Sequence, residues 1–115
     1  MLSPSGNVKI YLCLGSTDMR KGASSLAMLA SGLTSCSVMS GAMFIFRGKS
    51  ADKIKILYWD GQGFCLFYKC FDKGKFILPK DGNKGVIGLT SAQFSMLIEG
   101  VDWRMPKWSS PPLYA

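Results

Sequence analysis

The chain has 115 residues, 48% of them hydrophobic, and carries 14 Lys and Arg against 7 Asp and Glu for a net charge of +7. That length and apolar content suit one domain with a real core, without metals or disulfides as staples. No apolar run approaches the about 18–20 residues of a membrane span, and the N-terminus lacks the basic-then-apolar pattern of a secretion signal. The expected setting is therefore the cytoplasm, away from membranes.

Val8 to Leu14 is rich in β-formers and reads as a first strand. Ser16 or Thr17 is then suited to cap a helix of about residues 17–33, with Met19, Ala23, Leu26, Ala30 and Leu33 as its buried stripe. Residues 34–41 read as a loop, and Met43 to Phe46 as a second strand. Lys53 to Trp59 alternates, with Ile54, Ile56 and Tyr58 on one face and Lys53, Lys55, Leu57 and Trp59 on the other. Asp60 to Gly63 is a turn, and Phe64 to Phe71 the returning strand. A second turn at Asp72-Lys73-Gly74 leads into Lys75 to Leu78, completing an antiparallel meander. Thr90-Ser91-Ala92-Gln93 matches a capping box opening a helix of about residues 91–99, with Leu89 and Phe94 as its hydrophobic staple. Gly100 is its expected stop. The predicted fold is α+β: a single domain over residues 1–105, its curled antiparallel sheet packed with two helices. An extended, proline-rich tail follows at residues 106–115.

Chemistry-bearing side chains are few. Histidine is absent, which removes the usual general base and every Ser-His or Cys-His nucleophile. Glu99 is the only glutamate, and most aspartates fall in expected turns, so no carboxylate cluster for two-metal catalysis is apparent. Gly61-Gln62-Gly63 leads into a strand and not a helix, so it is no phosphate-cradling loop. Cys13, Cys36, Cys65 and Cys70 lack the paired spacing of zinc sites and read as reduced, mostly packed thiols. The expectation is a protein without catalytic residues, metal or cofactor, which works by binding.

The positive charge is uneven: nine basic and four acidic residues lie between Arg47 and Lys84. Such a field attracts polyanions, although a basic solvated face also serves solubility. Arg20 and Lys21 fall in the expected first turn of the first helix, where cations are disfavoured, and two readings stay open. They hold a phosphate together with helix-start N–H groups, or Asp18 neutralises Arg20 while Lys21 meets solvent. Lys53, Lys55 and Trp59 share a strand face that Lys69 can join across the hairpin, a surface suited to single-stranded nucleic acid unless the aromatics are core. Arg47 and Lys49 stand in a basic loop suited to phosphates. Trp103, Trp108 and Tyr114 are candidate docking residues for a protein partner.

Four stretches carry a resemblance: Thr17-Asp18-Met19-Arg20-Lys21-Gly22; Phe44-Ile45-Phe46-Arg47; Asp52 through Asp60 with Gly63-Phe64; and Leu89-Thr90 through Leu97-Ile98-Glu99-Gly100-Val101-Asp102-Trp103. In this order, from about Val8 to Trp103, the chain resembles the second-reading-frame accessory proteins, TnpB type, of insertion-sequence-66 group bacterial transposons. The resemblance implies a role in DNA transposition beside a separate transposase and another transposon-encoded helper, with DNA at transposon ends or target as the polyanion. No catalytic residue carries over. Arg20, Lys21, Arg47, Lys53, Lys55 and Trp59 fall on the shared motifs. Two departures thin the basic patch: the loop after Phe46 is often denser in arginine, and Gly61 stands where a bulkier charged residue is common. The alternative implied role is a protein–protein adaptor without direct DNA contact.

Overall fold

The computed structural model describes residues 7–82 and 84–104. The first strand, β1 (Ile10–Ser16), pairs in parallel with β2 (Met43–Arg47), and a parallel pair requires a crossover between its strands. Helix α1 (Ala23–Leu33) supplies it. From β2 the chain runs as an antiparallel meander through β3 (Lys53–Trp59) and β4 (Phe64–Cys70). After a long connection β5 (Val86–Leu89) returns antiparallel to β1, followed by α2 (Ser91–Ile98). The five-stranded sheet has the order β4-β3-β2-β1-β5, so it is mixed and not wholly antiparallel.

All five residues of β2 are buried, as the middle of a sheet covered on both faces requires. On one face Leu26, Ala27 and Ala30 of α1 pack on Cys13, Phe44, Phe46 and Leu57. On the other, Phe94, Leu97 and Ile98 of α2 join Phe76 and Trp103 over Ile10, Leu12, Ile45, Ile54 and Ile56. The two-residue alternation of β3 thus divides its side chains between two cores.

The first helix begins later than Ser16 and Thr17 suggested. Ser16 is still in register with Arg47 of β2, and the Thr17 N–H donates to the Arg47 carbonyl at 2.8 Å, so the sheet takes the would-be caps. A turn follows in which Asp18 accepts the Arg20 N–H at 2.9 Å, and extended Gly22 becomes the N-cap, without a side-chain hydrogen bond. Helix α2 starts as expected: Gln93 N–H donates to Thr90 Oγ1 at 3.1 Å, and Thr90 N–H to Gln93 Oε1 at 2.9 Å. Gly100 ends it with φ +78°, and a Cβ there would meet the Phe71 ring at 3.0 Å.

Lys75 to Leu78 is not a third meander strand. It belongs to a connection, residues 71–85, that crosses the end of the sheet from one edge to the other. Phe71 and Phe76 N–H groups donate to Asp52 and Ala51 carbonyls, both at 2.8 Å, and the Phe76 side chain is buried. Further on, buried Arg47 donates to the Pro79 carbonyl, and to that of Gly48 at 3.2 Å. Asp81 then accepts the Ser16 N–H at 3.0 Å and the Ser16 hydroxyl at 3.1 Å. The crossing is therefore pinned successively to the turn before β3, to β2 and to β1. The short strand β5, between Gly85 and Thr90, was not legible in the sequence.

Two stability measurements check this account. Arg47→Ala strips the Pro79 carbonyl of its donor inside the protein and is expected to lower unfolding free energy by about 2–4 kcal/mol in urea titrations. Arg47→Lys, lacking the planar fork, recovers less than half of that. Thr90→Ala breaks the capping box, with an expected loss of about 1 kcal/mol by the same titration.

Candidate nucleic-acid interface

The strand directions place the ends of β1, β2 and β4 and the starts of β3 and β5 at one end of the sheet. Three connections gather there: residues 17–22, 48–52 and the crossing 71–85. With the strand-terminal Arg47 and Lys53 they hold nine of the fourteen Lys and Arg (20, 21, 47, 49, 53, 73, 75, 80 and 84) and four of the seven acids. The turn after α2 adds Glu99 and an Asp102–Arg104 pair beside Phe71, Lys75 and Ile77, so the net charge at this end is +4 of the chain's +7. The crossing strings Lys73, Lys75, Lys80 and Lys84 along a line that spans five strands, about 19 Å.

The cations differ in their commitments. Arg20 is forked onto Asp18, with Nη2–Oδ2 2.9 Å, and its hydrogen bonds hold the Asp18 carboxyl down at about 2. Lys53 lies 3.4 Å from Asp52, whose carboxyl is held low first by Ser50 and then by Lys53. Lys55 is buried; its Nζ donates to the Lys21 carbonyl at 3.0 Å and lies over the Tyr68 ring. Arg47 is consumed in pinning the crossing. Lys21, Lys49, Lys73, Lys75 and Lys84 are exposed, and among the described residues none has an ion pair.

The structure brings Arg20, Lys21, Arg47, Lys49 and Lys53 to this end, but it does not build the stacking surface foreseen on β3. Lys69 is in register with Ile54, on the face opposite Lys53 and Lys55, and its Nζ donates to the Ile98 carbonyl of α2 at 2.6 Å. Trp59 lies at the far end of β3, about 20 Å from Lys53, with its ring edge-on to Phe64. Arg20 and Lys21 precede α1 and do not sit in its first turn, so the pairing of Arg20 with Asp18 is the arrangement found. Trp103 is buried and donates Nε1–H to the Ile77 carbonyl at 2.6 Å, which makes it a packing residue of the crossing. Trp108 and Tyr114 lie outside the described residues. Sequence reasoning did not single out Lys73, Lys75, Lys80 and Lys84; their part in the charge excess between Arg47 and Lys84 was the available signal.

Beside this end, on the α1 face, a groove of about 350 Å³ opens over the end of β1, next to Lys84 and Gly85. Cys13, Leu29, Leu33 and Gly85 line it, together with Lys21, Lys84 and Asp18, the last paired with Arg20. Leu29 and Leu33 are 37% and 39% exposed because α1 leans over β3 and β4 and leaves this groove uncovered. Burial pushes the Cys13 thiol up to about 12. All four cysteines are free thiols: Cys13 is buried, Cys36 and Cys65 are half-buried, and Cys70 is exposed. Among the described residues, no three His, Cys, Asp or Glu side chains gather where they could hold a metal ion, and no helix is long and apolar enough to cross a membrane.

Comparison with known proteins adds the family. An uncharacterized protein of Sinorhizobium fredii (strain NBRC 101917 / NGR234), y4hO, is 42% identical over 105 residues, covering 90% of each chain. A second from the same strain, y4jC, is 34% identical over 109 residues, covering 93% of this chain and 91% of its own. No solved structure matches. Residues 8–108 match the family described as IS66 Orf2 like protein, from before β1 to beyond Trp103. By that match and these relatives, the chain belongs to the IS66 Orf2-like family.

Proposed function

We propose that the protein is a non-catalytic accessory factor in transposition that holds DNA through its phosphates at the cationic end of the sheet. The observation carrying this reading is that three connections distant in sequence deliver their lysines to one end, where five are exposed and without an ion pair among the described residues. Exposed lysines on loops are point charges without fixed geometry, suited to backbone contact and not to base readout. Family membership supplies the setting, transposition. The same end repels other cations and draws a polyanion from solution, which speeds encounter without requiring a shaped pocket.

A second reading, docking on the transposase, is favoured by the groove beside α1. Its apolar residues, with Lys21 and Lys84 beside an Asp18 already paired with Arg20, complement an acidic amphipathic segment. Both readings are compatible, since the groove adjoins the cationic end.

A salt-titrated binding assay with duplex transposon-end DNA tests the first. Affinity is expected to fall steeply with salt, and Lys73→Ala, Lys75→Ala and Lys84→Ala combined flatten the log–log slope by about 2–3. Lys9→Ala, at the opposite end of β1, leaves it unchanged; salt-independent binding, or an equal effect at Lys9, contradicts the proposal. For the second, Leu29→Glu with Leu33→Glu is expected to abolish co-purification with co-expressed transposase while circular dichroism stays native. Undiminished co-purification removes the groove from consideration.

A further inference from the structure

The two edges of the sheet are unlike. The β5 edge is four residues long, with Lys84 just before it and a glycine inside it. The β4 edge is seven residues, Phe-Cys-Leu-Phe-Tyr-Lys-Cys, without proline, and its register with β3 is unbroken from Lys53↔Cys70 to Trp59↔Phe64. Proteins ordinarily blunt such an edge with charge, proline, a bulge or a covering segment. Among the described residues this edge has no proline, bulge or covering segment, and its one charge is Lys69.

The hydrogen-bond phase shows which groups are free. Phe71 N–H donates to the Asp52 carbonyl and Asp60 N–H to the Gly63 carbonyl, so residues 63, 65, 67, 69 and 71 direct their backbone groups toward β3. Phe64, Leu66, Tyr68 and Cys70 therefore direct theirs outward. Side chains of the same four residues share the α1 face, where Leu66 and Tyr68 are 36% and 49% exposed. The one charge of the strand, Lys69, is turned to the other face and held on the Ile98 carbonyl.

We infer that the β4 edge is a homodimer interface, formed by antiparallel pairing with β4 of a second copy about a two-fold axis at Phe67. In that register Phe64 faces the partner's Cys70, and Leu66 faces the partner's Tyr68. Every outward N–H and C=O of the four residues then meets its complement, the self-complementarity that a two-fold interface requires. The charge pattern selects the same orientation. The turn before β4 carries Asp60, and the turn after it carries Asp72, Lys73 and Lys75, net positive; antiparallel pairing sets each turn against its opposite. The product is one continuous ten-stranded sheet whose cationic ends point in opposite directions.

Sedimentation equilibrium of the full chain tests the inference, with far-UV circular dichroism as the control for folding. The unaltered protein is expected to be a dimer at micromolar concentration. Leu66→Glu with Tyr68→Glu places like charges opposite each other twice and is expected to weaken association by about a hundredfold. The monomer tolerates it, because the carboxylate introduced at position 68 then neighbours Lys55. Leu66→Lys with Tyr68→Glu, which sets opposite charges across the same pairs, restores association to within about tenfold. A monomeric unaltered protein overturns the inference, as does a double-glutamate variant that still dimerises. So does protection of β4 amides from hydrogen exchange that appears only when another protein is added, which would give the edge to that protein. Failure of DNA binding leaves the inference untouched, since the outward backbone groups of β4 and the Leu66–Tyr68 pairs that join the two copies include no cation of the sheet end.

Discussion

One buried guanidinium organises the rest. Arg47 ends the central strand of the sheet, is only 3% exposed, and among the described residues has no carboxylate in ion-pair contact. Its partners are the carbonyls of Pro79 and Gly48. A buried charge is costly unless its donors are engaged, so the crossing connection must lie where its carbonyl can meet the fork. Nearby Asp81 has its carboxyl held low by the Ser16 N–H and hydroxyl and, more weakly, by the charge of Arg47. Together these contacts fix residues 71–85 across one end of the sheet. Taking one cation out of solvent thus sets the position of four others.

Electrostatics at that end has two components. Pairs between near neighbours, Asp18 with Arg20, Asp52 with Lys53 and Asp102 with Arg104, are exposed and contribute little to stability. They do, however, cancel locally, leaving the long-range field to the lysines outside such pairs. At physiological salt the screening length is about 8 Å, shorter than the roughly 19 Å width of the sheet end. A bound polyanion would therefore feel these lysines one after another, which favours an extended strand of phosphates over a single small anion. The absence of histidine from the sequence keeps the net charge nearly constant across neutral pH.

The sheet itself is asymmetric in its covering. Helix α2 and the crossing pack over one face, whereas α1 leans toward β3 and β4 and leaves a groove open over the end of β1. Having β1 and β2 parallel makes this unavoidable: a single eleven-residue crossover helix, about 16 Å long, cannot cover both halves of a twisted five-stranded face. Open groove, cationic end and bare β4 edge are thus consequences of one topology, and each is a place where another macromolecule can complete what this chain leaves unfinished.

Local chemistry was legible wherever the determining groups are neighbours in sequence. The Thr90 capping box, the Gly100 stop, the alternation of β3 and the hairpin at Asp60 to Gly63 all depend on interactions within a few residues. The start of α1 was not, because the sheet, through Arg47, claims Thr17 before the helix can use it. Nor was the face of Lys69, since register across a hairpin is decided by turn length and not by alternation along either strand. Composition alone established a basic chain without histidine; only the tertiary structure decided which cations are spent on carbonyls and which are exposed without an ion pair among the described residues. The physical reason is that a charge is recorded in the sequence, whereas its desolvation and its neighbours exist only after distant segments have packed together.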